Sequence, residues 1–135
     1  MAVSAEDFLN FSKDLHKENR SEIEIRGSVR TAYYSAFHKS HEILTHEVPD
    51  DLKGGTHIRF IEYLELKAHA IEKDITQRSL DRLGIKLRQL KANRVIADYH
   101  MQEDVSEEDS LRQIKLVEST FDLCNYIIEN KDSES

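Results

Sequence analysis

The sequence predicts an all-α fold on three observations. One proline, four glycines and no tryptophan in 135 residues, a third of them charged, suit helices, and strand-like alternation is scarce. Leu80, Leu83, Leu87 and Leu90 recur at alternating spacings of three and four, which is the apolar seam of an amphipathic helix. Serines followed within two residues by acids, Ser4-Ala5-Glu6-Asp7 and Ser106-Glu107-Glu108-Asp109, read as N-caps with acidic first turns. The architecture expected is an up-and-down bundle of four main helices plus a shorter one. It forms one domain over residues 1–130, with a disordered tail at 131–135. A chain of this length buries a core without disulfides or metal.

Each element has its own signal. The first helix follows Ser4, shows Phe8, Phe11 and Leu15 on one face, and should end near Asn19. The second runs from about Ser21 to Glu47, with Val29, Ala32, Tyr33, Ala36, Phe37, Ile43 and Leu44 inward. Pro49 and Gly54-Gly55 punctuate a loop. A third helix from Thr56 to Ala70 points Ile58, Ile61, Leu64 and Ala68 inward, and the stretch from Glu72 to Arg78 reads equally as break or continuation. The leucine-seam helix runs to about Ala97, with Gly84 costing ~1 kcal/mol relative to alanine. The last helix buries Leu111, Ile114, Val117, Phe121, Cys124 and Ile128.

A net charge of −7 argues against a surface coated for gripping nucleic acid. The charge is uneven, however. Arg78, Arg82, Lys86, Arg88, Lys91 and Arg94 face a single acid, Asp81, between residues 78 and 94, whereas the chain from Met101 onward is strongly acidic. A solvated helix face is the simplest reading of that run. Cys124 is the one cysteine and reads as a small buried hydrophobe. With no signal-peptide pattern and no membrane-length apolar segment, a cytoplasmic protein is expected.

One stretch breaks the packing rule. Arg94 occupies the next position of the leucine seam, where burying an unpaired guanidinium would cost several kcal/mol. Asp98 lies at ion-pair spacing, so Arg94→Ala should leave it unpaired, and Tyr99 and His100 follow. Such breaks are expected at functional sites. On the second helix Arg26, Arg30, Tyr34 and His38 form a row at spacings of four. Cross-bundle hydrogen bonding would explain the row as well as a binding cleft does. His38, His41 and Glu42 have ligand-like spacing, but no Glu-x-x-His pattern supports a di-iron bundle, so no metal or other cofactor is expected. No phosphate-loop pattern occurs.

Arginine with histidine suits RNA cleavage: the imidazole moves protons near neutral pH and the guanidinium steadies charge on phosphate. Six residues at about 100° each put Arg94 and His100 roughly 120° apart on a straight helix. The helix should therefore end or bend between them. Otherwise an Arg94–Asp98 ion pair with a surface His100 remains.

The pairing of Arg30-Thr-Ala-Tyr33-Tyr34-Ser-Ala-Phe37-His38 with Arg94-x-x-Ala97-Asp98-Tyr99 resembles the small stand-alone HEPN-domain proteins of bacteria and archaea. The resemblance spans most of the chain, from the second helix to the last. It implies a usually dimeric helical bundle whose Arg-x(4–6)-His motif, here Arg94 and His100, faces the partner subunit. In active members that motif serves a metal-independent endoribonuclease. Many members are toxins controlled by an MNT-type nucleotidyltransferase antitoxin, or belong to antiphage defence. On this reading Arg94 and His100 are catalytic, and Arg30, Tyr34, His38, Asp98 and Tyr99 line the cleft. Two departures stand out: Val95 follows the arginine where many active members carry a polar residue, and Asp98-Tyr99-His100 replaces the common His-x-Tyr ending. A non-catalytic HEPN module binding RNA, a nucleotide or a protein partner is the alternative, and a purely structural bundle a third.

Overall fold

The structure, a computed structural model, describes residues 3–17, 20–49 and 54–131. Those residues form a bundle of six helices and no strand: α1 (Ala5–Leu15), α2 (Glu22–His41), α3 (Thr56–Leu66), α4 (Ala68–Ile71), α5 (Gln77–Tyr99) and α6 (Glu107–Asn130). Ser4, Ser21 and Ser106 each close a capping box with an acid three residues on (Asp7, Glu24 and Asp109), satisfying otherwise orphaned N–H groups at three helix starts. None of these helices is long and apolar enough to cross a membrane.

α2 is the central element, packed on α1, α5 and α6, and α3 lies along α5. The leucine seam is buried throughout, together with Tyr33, Phe60, Ile61, Leu64 and Val117. A smaller cluster of Ile25, Val29, Ala97 and Val105 fixes the end of α5 against α2. Gln113 ties three helices, donating to the carbonyls of Leu90 (3.1 Å) and Val29 (3.4 Å) and accepting from Asn93 (2.8 Å). Gly84 has a packing reason. A Cβ there would lie 2.8 Å from Cγ of Glu65, whose carboxylate holds Arg88 in a forked pair. Its cost to α5 therefore permits the close approach of α3.

Several expected boundaries and faces shift. α1 ends at Leu15, and Asn19 lies outside the described residues. α1 buries Ala5, Leu9 and Ser12, while Phe11 is exposed and Phe8 half-buried. Small residues meet there: Ser28 Oγ donates to the Ser12 carbonyl at 2.8 Å, and a Cβ on Gly27 would already touch Leu15. Phenylalanine does not fit so close a contact. α2 stops at His41, short of Glu47, because Glu72 captures the chain beyond it. The Glu72 carboxylate accepts from the backbone N–H groups of Thr45 and His46, both at 2.9 Å. Ile43 and Leu44 still pack against the core.

The third predicted helix breaks at Lys67 into α3 and the one-turn α4, and the ambiguous stretch is a break that Thr76 ends by capping α5. Ile58 is only half-buried. On α6, Leu111 and Ile128 face outward, and Ile127 and Leu123 take their place in the core. Cys124 is fully buried near Ser40, and burial pushes its thiol up to about 12. Lys131, assigned above to the tail, caps α6 and donates to the Ile43 carbonyl; residues 132–135 lie outside the described ones.

Candidate functional site

Arg94 projects from α5 toward α2, and its side chain is 12% exposed. Its Nη1 donates to Asp98 Oδ2 at 3.2 Å, the i,i+4 pair the spacing predicts. The second carboxylate oxygen, Oδ1, accepts from Arg30 Nε at 2.6 Å. Asp98 is therefore clamped by two guanidinium groups from two helices, and Arg94→Ala would not leave it unpaired as the sequence alone implies. The Arg94 guanidinium lies 5.6 Å from the Tyr33 ring centroid and 5.9 Å from that of Tyr99, both within cation–π reach. Burial by itself would lower the arginine's pKa, but the bond to Asp98 leads a set of interactions that raise it, so Arg94 stays charged. Its buried Nε has no hydrogen-bond partner among the described residues. A buried donor left in that state costs about 1–3 kcal/mol.

His57 joins this cluster although nothing in the sequence reading singled it out. It is the second residue of α3, half-buried, with Nδ1 2.7 Å from the Tyr33 hydroxyl. Its ring centroid lies 4.1 Å from that of Phe37 and 5.8 Å from that of Tyr34. Burial lowers its pKa below the ordinary 6.5, and the charges of Arg94, Lys91, His38 and His41 lower it further. Burial likewise raises the pKa of the Tyr33 hydroxyl, which stays protonated. A signal for His57 was present. His57, Ile61, Leu64 and Ala68 follow spacings of four, three and four, so the histidine stands on an inward apolar stripe much as Arg94 does.

The polar row of α2 divides among three tasks. Arg26 is 5% exposed and serves the fold. Its Nη1 donates to the carbonyls of Ile96 (3.3 Å), Ala97 (3.0 Å) and His100 (3.2 Å), its Nη2 to that of Glu103, and Glu22 balances its charge at 2.9 Å. It thereby satisfies the Ala97 carbonyl that the end of α5 leaves open, and adds a second donor to those of Ile96 and His100. Arg30 and Tyr34 belong to the Arg94 cluster. His38 is exposed and stacks on Phe8 of α1, ring centroids 5.2 Å apart. His41 stacks on Phe60 at 3.8 Å and Glu42 pairs with Lys39. Among the described residues no three His, Cys, Asp or Glu side chains are grouped to hold a metal ion.

His100 is engaged by Glu103, not by the residues that hold Arg94. α5 ends inside the expected interval but only at its last position, Tyr99, and the His100 N–H still bonds the Ile96 carbonyl at 3.0 Å. The six-residue rotation of roughly 120° is thus retained. His100 is half exposed, with Nδ1 2.6 Å from Glu103, and shares no partner with Arg94. Three of the six residues of the basic run of α5 are engaged: Arg88 with Glu65, Lys86 with Ser119, Arg94 with Asp98. A cavity of about 450 Å³ opens on another face of α5, lined by Gln89, Asn93, Ile96, Asp109 and Arg112 among others; none of Arg30, Tyr34, His38, Arg94, Asp98, Tyr99 or His100 lines it. No protein-family model matches this sequence, and no curated protein or solved structure matches it.

Proposed function

We propose that this chain is a HEPN-type, metal-independent endoribonuclease that engages an RNA phosphate at Arg94 and Arg30. The observation that carries the reading is the convergence of two arginines on one largely covered carboxylate in a protein of net charge −7. Asp98 holds both guanidinium planes with one donor from each, and each arginine has five donors in a fixed fork suited to phosphate oxygens. The Tyr99 ring lies 5.9 Å from the Arg94 guanidinium and is 68% exposed, where an unpaired base can stack. The resemblance of Arg30-to-His38 and Arg94-to-Tyr99 to HEPN proteins supplies the biological setting. It is a toxin or antiphage defence nuclease acting as a homodimer and restrained by an MNT-type nucleotidyltransferase antitoxin.

The second reading is a non-catalytic HEPN module that binds RNA, a nucleotide or a protein through the same cluster. The engagement of His100 with Glu103, and of Arg94 with Asp98, favours it. A labelled RNA pool incubated with wild type and Arg94→Gln, with and without EDTA, tests both. The endoribonuclease reading expects 2′,3′-cyclic phosphate ends that EDTA does not suppress, and a fall of about 10²–10³ in rate for the variant. RNA bound but uncut by the wild type leaves the binding module. RNA neither bound nor cut removes both.

A further inference from the structure

We infer that His57, rather than the histidine of the Arg94–His100 motif, is the proton-transferring group of the Arg94 site; the assignment rests on the endoribonuclease reading. One buried ring joins the two residues. Tyr33 carries the Arg94 guanidinium at 5.6 Å from its centroid and the His57 ring at 5.3 Å. His57 Nδ1 is held by the Tyr33 hydroxyl at 2.7 Å, which leaves Nε2 as the nitrogen able to meet a substrate. His100 has the opposite surroundings: its Nδ1 is bonded to an acid, Glu103, and its side chain is half exposed.

The groups facing His57 are Tyr33, Tyr34, His38 and His41 from α2 and Lys91 and Arg94 from α5. None is an acid. Burial and the Arg94 and Lys91 cations keep the imidazole neutral at pH 7, the state a general base requires. The tautomer that donates Nδ1–H to the Tyr33 oxygen carries its lone pair on Nε2. In the reaction Nε2 takes the proton of the RNA 2′-hydroxyl as O2′ attacks the adjacent phosphorus. The O2′–P bond forms, the P–O5′ bond breaks, and the departing O5′ recovers the proton from the imidazolium. The products are a 2′,3′-cyclic phosphate and a 5′-hydroxyl, with no proton consumed. Arg94 and Arg30 face the charge gathered on the non-bridging oxygens. No metal or further reactant enters.

The test uses the full chain and a fluorescent single-stranded RNA, with wild type, His57→Ala, His57→Gln, His100→Ala and Lys91→Ala. His57→Gln keeps an amide able to bond the Tyr33 hydroxyl, so a loss shared by both His57 variants while thermal melting is unchanged for His57→Gln reports chemistry rather than unfolding. The expected loss is at least about 100-fold in cleavage, with RNA affinity changed only slightly. Wild-type cleavage should rise with pH and level off below the ordinary histidine value. Lys91→Ala should move that rise to higher pH, because a charge opposing protonation is gone. Cleavage that survives both His57 substitutions and falls with His100→Ala overturns the inference and leaves the endoribonuclease reading standing. A pH profile unmoved by Lys91→Ala also counts against His57. A wild type that binds RNA without cutting it, or does neither, overturns the inference together with the endoribonuclease reading.

Discussion

Asp98 is the residue on which the site depends. Its carboxylate is 11% exposed and pairs with one nearly buried arginine, Arg94, and one half-exposed arginine, Arg30. Removing a shared acid strands the buried charge, whereas removing the outer arginine leaves a buried pair intact. Asp98→Ala should therefore cost about 3 kcal/mol and Arg30→Ala about 1 kcal/mol or less, read from urea unfolding midpoints at constant slope. Equal, small effects would mean that Arg94 is solvated and the clamp unimportant. The Arg94–Asp98 half of this arrangement was legible in the sequence because a charge interrupts a leucine seam at ion-pair spacing. The Arg30 half was legible only as membership of a polar row, since a helix period says which residues share a face but not which helix they meet. His57 was missed because the same interruption sits at the start of a shorter, less regular stripe.

At the scale of elements, helix starts were easier to read than helix ends. Ser4, Ser21 and Ser106 cap through local bonds that depend on neighbours three residues away, so local sequence suffices. The end of α2 is decided by Glu72, about thirty residues further on, which no window along α2 contains. Glu72 also makes that connection sensitive to acid. Burial would raise its pKa, but bonds to Thr45 and His46 outweigh it and hold the carboxyl below its ordinary 4.5. A carboxyl whose folded pKa is depressed contributes stability that is fully present above the unfolded value and disappears as pH falls through the folded one. Wild-type stability should therefore decline as pH drops below about 4.5, with Glu72→Gln less stable at neutral pH and flatter across that acid range. Parallel pH curves for the two proteins, followed by chemical unfolding, would show that Glu72 does not fasten the α2–α4 connection.

At the scale of the whole molecule, the helical class and the leucine core follow from composition and period, whereas the pairing of functional residues depends on crossings that only tertiary structure defines. Phe11 and Ile128, which look like core, are exposed, and small residues such as Ser12 and Gly27 sit where α1 meets α2. Tyr99 and Met101 are exposed, 68% and 75%, beside the motif that HEPN resemblance places at a subunit contact. A homodimer through this end should elute and scatter as twice the 15.7 kDa chain, and Met101→Lys with Tyr99→Glu should shift it to monomer. A wild type that scatters as a monomer at micromolar concentration would contradict that assembly.

The central claim is that RNA meets this protein at the Asp98-braced arginine pair. It is tested most directly by titrating ¹⁵N-labelled protein with an RNA whose 2′-oxygens are methylated and which therefore cannot be cut. The side-chain Nε–H resonances of Arg94 and Arg30 should shift together and saturate on one curve that weakens as salt is added, the His57 ring nitrogens moving with them. RNA that leaves these signals unmoved, or that instead shifts only the amides of Gln89 and Asn93 in the cavity on the other face of α5, would contradict it.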